Sequence, residues 1–188
     1  MKLFIFIIVI FLSGCQTSLK NKHSYEVSNN QQNKMLSQGI GTQFPYKQKY
    51  SLTAAHVVDK EKQILSRHDK CDIALMYKSY KASDNNPIFS ESKINEAVVA
   101  YGFPHGNKKE VKVSGKIIGY KNVTSGEYTK GCTVAIMNFN VEKGMSGGPV
   151  YNNKNQIIGV IFATDKYKKQ SYMVPYENIK DWLNQNRI

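Results

Sequence analysis

Acidic side chains are scarce in this 188-residue chain: 14 Asp and Glu stand against 26 Lys and Arg, a formal net charge of +12. Such an excess suits nucleic acid or an anionic surface. The lysines are scattered, however, and no basic stretch is interleaved with aromatics as a nucleic-acid groove requires, so no nucleic-acid partner is expected. Long apolar runs are missing too. Leu3 to Leu12 is an unbroken run of ten residues, too short to span a bilayer as a permanent helix. Cysteine occurs only three times, and no grouping of His, Cys, Asp and Glu has metal-ligand spacing, so neither a metal nor another cofactor is expected. Internal repeats are absent.

What is present begins with the N-terminus. Met1-Lys2, the apolar run and Leu12-Ser13-Gly14-Cys15 have the layout of a secretory signal over residues 1–14. Its ending resembles the bacterial lipobox, in which the cysteine is acylated and becomes the first residue of the mature protein. That resemblance implies lipidation at Cys15 (palmitate among the acyl groups), a membrane anchor and a cell-envelope location. The alternative is a non-lipidated signal with a chance cysteine. Gln16 stands where an aspartate would retain a lipoprotein in the inner membrane, so an outer-membrane location follows if the host is Gram-negative. Residues 15–37 are rich in Asn, Gln, Ser and Lys, cannot offset their ordering entropy by burial, and read as a flexible tether, with His23 solvated in it. The basic excess then fits either attraction to anionic head groups or simple solubility. With Cys15 acylated, Cys71 and Cys132 remain in an oxidising compartment, as one disulfide or as two buried thiols.

Residues 38–188 read as one domain, 41% of the whole chain being hydrophobic and its length enough for a real core. The apolar or alternating runs are short: Ile64-Leu65, Ile73–Tyr77, Ala97–Tyr101, Val111–Val113, Thr133–Met137, Ile157–Phe162 and Tyr172–Val174. Gly, Asn and Pro punctuate them, which predicts an all-β barrel or sandwich. The polar stretch Lys78–Asn95 reads as a long crossing loop between two halves. Ile179, Trp182 and Leu183, spaced i, i+3, i+4 after Pro175, predict a C-terminal helix.

Three segments carry chemistry. Gly144-Met145-Ser146-Gly147-Gly148-Pro149 reads as a serine in a tight turn whose glycines let the backbone approach a substrate carbonyl. The N–H groups of Gly144 and Ser146 are candidate donors for an oxyanion. Ser51–Val58 is an apolar strand closed by His56, a candidate base. Asp72, directly before Ile73-Ala74-Leu75, is a strand-start carboxylate able to accept an imidazole N–H and fix its tautomer. The order along the chain is His, Asp, Ser.

Thr53-Ala54-Ala55-His56, Asp72-Ile73-Ala74-Leu75 and Gly144–Val150 together resemble the chymotrypsin/trypsin-like serine peptidases, in particular their compact bacterial branch. Gly39–Thr42 is similar to the family's glycine-rich first strand, Ala100–Pro104 to the strand opening its second barrel, and Ile158–Val160 and Tyr172–Pro175 to the strands framing its substrate pocket. The resemblance implies a double six-stranded β-barrel, with the predicted helix at its C-terminus. It implies a triad of His56 as base, Asp72 as its orienting carboxylate and Ser146 as nucleophile. The oxyanion hole would come from Gly144 and Ser146, and Phe162, Ala163 and Thr164 would line the substrate site, with Asn140 to Lys143 beside them. The substrate would be a protein or peptide. Met145 replaces the aspartate that pairs with a freed N-terminus in digestive members, which predicts activity without zymogen cleavage. No carboxylate stands where tryptic members carry theirs, so cleavage at Lys or Arg is not expected.

His56 and Asp72 lie only 16 residues apart, so Asp59 and Asp69 are the alternative carboxylates. His68 reads as a surface-loop residue and His105 as a turn residue. Two other function classes stand beside the peptidase. One is a catalytically silent domain that binds peptides or a partner protein in the same cleft. The other is an esterase, whose usual order of Ser, acid, His on an α/β fold this chain does not share.

Overall fold

The computed structural model of the chain describes residues 23–28, 40–47, 49–58, 63–78, 87–105, 107 and 109–186. The signal segment, Cys15 and Asp59 lie outside them. Among the described residues the strands are β1 (Tyr25–Ser28), β2 (Ile40–Tyr46), β3 (Tyr50–Thr53), β4 (Ile64–Arg67), β5 (Ala74–Tyr77), β6 (Ala97–Gly102), β7 (Val111–Val123), β8 (Cys132–Met137), β9 (Pro149–Asn152), β10 (Ile157–Asp165) and β11 (Gln170–Pro175). One helix, α1 (Tyr176–Gln185), follows. The first half is a five-stranded sheet in the order β1-β2-β3-β5-β4, and the second is a closed barrel in the order β10-β11-β8-β7-β6-β9. The expected all-β, two-part architecture is therefore present. Its second half has the expected six strands, and its first has five among the described residues.

Closure of the second half depends on β7, which runs far beyond the three residues its apolar pattern suggested. Val111 to Lys116 pairs with β6, and Ile117 to Val123 pairs with β8. A register irregularity between Ile117 and Gly119 marks the change of partner. Such a bulge bends a strand and raises its twist, which is how a small barrel turns a corner. Gly115 and Gly119 interrupt the alternation there, so the strand is hidden from a period-two reading.

The core is continuous between the halves. Phe44, Leu52, Ile73 and Leu75 of the first half form one buried cluster with Val134, Ile157, Val160 and Val174 of the barrel and with Ile179 and Leu183 of α1. A second cluster fills the barrel around Ile117, Met137, Met145, Ile161 and Met173. The helix forms where its apolar spacing predicted, directly after Pro175. Trp182 also reaches back to the first half, its indole N–H donating to Ser66 Oγ at 3.2 Å. Cys71 and Cys132 are joined as a disulfide with Cα atoms 5.1 Å apart, which resolves the two cysteine alternatives and staples β8 to the loop before β5.

Two expectations are corrected. The segment read as a flexible tether is ordered from His23 to Ser28: β1 adds to the sheet beside β2, Tyr25 opposite Gln43 and Ser28 opposite Ile40. His23 is not solvated but stacks on Tyr101 of β6, ring centroids 3.9 Å apart, with Nδ1 3.4 Å from Glu110. Ser24 is fully buried and donates its hydroxyl to the same carboxylate. Composition is poor in apolar residues here, but one edge strand and one aromatic stack suffice to hold it. In the second correction, the strand before His56 ends at Thr53, and His56 lies in a 3₁₀ turn, Ala55–Val57.

Candidate active site

The 3₁₀ turn sets His56 beside Asp72. Asp72 is 1% exposed and receives both hydrogen bonds that His56 directs at it: the backbone N–H to Oδ1 at 2.8 Å and the ring Nδ1 to Oδ2. A buried carboxylate is costly unless its oxygens are satisfied; here each oxygen has one donor from the same residue. In the tautomer that gives Nδ1–H to Asp72, Nε2 is left as the acceptor, which is the arrangement a general base needs. Asp69, the alternative carboxylate, is 78% exposed on its side chain and lies beside His68 instead.

The loop carrying Asp72 is shaped by His68, which does more than line a surface. Its side chain is only 9% exposed, and its Nδ1 accepts the backbone N–H groups of Lys70 at 3.1 Å and Cys71 at 3.0 Å. An Nδ1 that accepts two bonds carries no proton. Accordingly, burial pushes the His68 pKa below its ordinary value, outweighing the opposite pull of Asp69. Trp182 packs edge-on against the ring at 5.5 Å.

Ser146 sits half-buried in the turn between β8 and β9. Gly144 has φ +97° and Gly147 φ +86°, a region that side-chain-bearing residues seldom enter. A Cβ at Gly147 would also collide with the Thr42 carbonyl and the Thr53 hydroxyl. Met145, between them, is fully buried in the barrel core.

Backbone hydrogen bonds in this turn are unevenly distributed. The N–H groups of Met145, Gly147 and Gly148 donate to Glu142, Ile161 and Met145 carbonyls at 3.1, 2.8 and 3.0 Å. Those of Gly144 and Ser146 donate to no acceptor among the described residues. Both peptide planes are nonetheless held from the opposite side. The Lys143 carbonyl accepts from His105 N–H at 2.7 Å, and the Met145 carbonyl accepts from Gly148 N–H. In a planar trans peptide, fixing the carbonyl fixes the N–H in the reverse direction. Two oriented, unused donors flank the serine, which is what a developing oxyanion needs. His105 is the turn residue expected, and its backbone contributes to this arrangement.

Thr42 of β2 locks the turn to the first sheet. Its Oγ1 donates to the Gly144 carbonyl at 2.8 Å and accepts Phe103 N–H at 2.9 Å, while its backbone N–H donates to the Ser146 carbonyl at 2.8 Å. Buried Ser171 of β11 acts similarly one step upstream, accepting Val141 N–H at 2.8 Å and donating to the Phe139 carbonyl at 2.6 Å. A lone Thr or Ser in a strand gives no sequence signal for either role.

A cleft of about 470 Å³ takes in His56 and Ser146, Phe162 and Ala163 of β10, and Val123 with Ser125–Thr129 from the β7–β8 connection. Phe162 lies at a register irregularity in β10 between Ile161 and Ala163, the kind of bulge that re-aims side chains next to sites. Thr164 is not in the cleft lining; its hydroxyl lies 3.3 Å from the Gln170 carbonyl and 3.4 Å from Ser171 Oγ on the neighbouring strand. Asn140 to Lys143 do not line it either. The β7–β8 connection carries no sequence motif: nothing in Thr124-Ser125-Gly126-Glu127 marks it as a cleft wall. Ser146 Oγ makes no hydrogen bond among the described residues, although it shares the cleft with His56.

Residues 61–160 match the trypsin-like peptidase domain, a stretch holding Asp72 and Ser146, with His56 just upstream. Solved structures are similar as well. The inactive form of the Rv3671c protease of M. tuberculosis superposes with a TM-score of 0.67 at 19% identity, covering 79% of this chain and 85% of that one. Its active form gives 0.66 at 21% identity, covering 77% and 72%. The serine endoprotease of Yersinia pestis gives 0.65 at 16% identity, over 87% of this chain and 62% of that longer one. A family match over more than half the chain, on a sheet and a barrel of the same fold, makes this protein a peptidase of the trypsin-like family.

Proposed function

We propose that the protein is a serine endopeptidase that cleaves proteins outside the cytoplasm while anchored to the membrane through a lipidated Cys15. The observation that supports the chemistry best is the double engagement of buried Asp72 by His56, with Ser146 in the same cleft. His56 Nε2 takes the Ser146 hydroxyl proton as Oγ attacks the substrate carbonyl. Asp72 holds the ring and stabilises the imidazolium so formed. The N–H groups of Gly144 and Ser146 stabilise the tetrahedral oxyanion. His56 then protonates the leaving amine, and water repeats the sequence on the acyl-enzyme. The Ser146–His56 hydrogen bond closes when substrate fills the cleft, as catalytic bonds commonly tighten on binding. Met145 supports activity without a zymogen cut: an apolar plug occupies the core beside the nucleophile, so no ion pair from a new N-terminus is needed.

The test is fluorophosphonate labelling and casein cleavage by the full chain in detergent, beside Ser146→Ala and His56→Ala. Wild type is expected to be labelled without N-terminal processing, and each variant to lose about 10³-fold or more in turnover. Absence of both labelling and cleavage in wild type would mean a silent peptide-binding domain. Mass spectrometry of the labelled protein reads the state of Cys15 and reveals any activating cut.

A further inference from the structure

The acidic residues of this strongly cationic protein are mostly engaged. Glu110 is taken by His23 and Ser24, Glu91 by Lys180 at 2.8 Å and Glu177 by Ser92. Glu96 caps Lys93 N–H, Asp165 caps its own turn and Asp72 holds His56. Glu127 is different. Among the described residues its carboxylate, like those of Glu142 and Asp181, is exposed and has no hydrogen-bond or ion-pair partner, but unlike them it lines the cleft that contains His56 and Ser146, where it is the one carboxylate. Apart from His56 and Tyr128, the other lining side chains there are apolar or hydroxylic.

The segment that carries Glu127 is built in, not loose. Its far end is fixed by the Cys132–Cys71 disulfide, by Lys130 N–H donating to the Lys70 carbonyl at 3.1 Å and by Gly131 N–H donating to the Val123 carbonyl at 2.8 Å. Thr129 is 4% exposed. Tyr128 packs on the small apolar cluster of Ala54, Ala55 and Val57 that surrounds His56 in the chain. Glu127 is therefore held at the cleft by a segment tied to both halves. An unpaired carboxylate carried on a held segment at the cleft attracts a cationic side chain that a substrate brings there.

We infer that Glu127 is a specificity-determining residue that selects peptides presenting a lysine or arginine close to the scissile bond. The inference rests on the peptidase reading and adds a substrate class to it, one that the sequence argued against because the tryptic position has no carboxylate; the carboxylate here comes from the β7–β8 connection instead. The protein's net charge of +12 would otherwise discourage basic substrates, so the local carboxylate reverses at the cleft what the whole molecule does at a distance.

Internally quenched peptides scanned with Lys, Gln or Glu at each position flanking the scissile bond test this on the full chain. Wild type is expected to favour Lys over Gln at one flanking position by about fivefold in kcat/KM, the scale of a partly screened ion pair, and this ratio should fall as ionic strength rises. Glu127→Gln should reduce the ratio to about one, and Glu127→Lys should invert it. Asp181→Asn, which removes the same charge from α1, should keep it. Fluorophosphonate labelling and fluorescence anisotropy of the Lys and Gln peptides on Ser146→Ala accompany the kinetics. Labelling and cleavage with no charge preference, or a preference that survives Glu127→Gln, overturns the role of Glu127 alone. No labelling and no cleavage overturns the peptidase reading; the anisotropy ratio with and without Glu127→Gln then decides the cationic preference by itself.

Discussion

His68 controls the geometry of Asp72 without touching the cleft. Its Nδ1 accepts two backbone N–H groups in the loop leading to Asp72, and these are lost when the ring is protonated. Folding depresses its pKa, so between the two pKa values the unfolded chain binds the proton that the folded one refuses. The stability His68 contributes is thus complete above its unfolded pKa of about 6.5 and is lost as pH falls through the lower folded value. Replacing it, His68→Ala, should cost about 1 kcal/mol at pH 7.5, chiefly for the part-buried Cys71 N–H left without its acceptor, and progressively less at pH 6 and below. Urea midpoints of both proteins across that range check the convergence; a cost that is constant with pH would show that the ring acts only by packing. Individual roles were unevenly visible in the chain. His56, Asp72 and Ser146 stand in short motifs whose order is informative. Thr42 and Ser171 act through bonds to segments 30 to 102 residues away, and nothing local distinguishes them from any buried polar residue; the bonds of His68 are local, but no motif marks them.

The element with the largest departure from its sequence pattern is β1. Its segment has the composition of a linker, yet it joins the first sheet through β2 and reaches the barrel half through His23 on Tyr101 and Glu110. The burial of Tyr151 beside this stack pushes its pKa upward, with Glu110 and Tyr101 adding to the effect, so its phenol stays neutral at ordinary pH. The arm thus bridges the two halves on the side of β6 that leads into Phe103 and, through Thr42, the nucleophile turn. Removing the stack and its hydrogen bond with His23→Ala should cost about 1–2 kcal/mol, lowering the melting temperature by several degrees for a domain of this size. Calorimetry or thermal fluorescence reads this directly; an unchanged melting temperature would mean the arm is an ornament of the sheet. Strands with strong apolar runs, such as β6, β8, β10 and β11, were legible because burial on one or both faces writes a pattern. The arm and the second half of β7 were not, because pairing partners far along the chain, rather than local hydrophobicity, make them strands.

At the scale of the molecule, two halves share one core and are stapled by the disulfide across 61 residues of sequence. Closing a loop of that length in the unfolded chain is worth about 4 kcal/mol in the chain-entropy description. Reduction, or Cys132→Ser paired with Cys71→Ser, should therefore lower the unfolding free energy by about that amount, measured by urea denaturation with and without reductant; equal midpoints would place the bond outside the stabilising core. The sequence by itself determined the all-β class, the C-terminal helix and the identity of three chemically suited residues in family order. These depend on local periodicity and on side-chain chemistry, both of which are written in consecutive residues. Tertiary structure alone decided that Cys71 and Cys132 are joined, that Thr164 lies outside the cleft lining and that Glu127 belongs to it. Each of these is a distance between segments remote in the chain, fixed by how the sheet and the barrel pack on one core, and no local pattern encodes it.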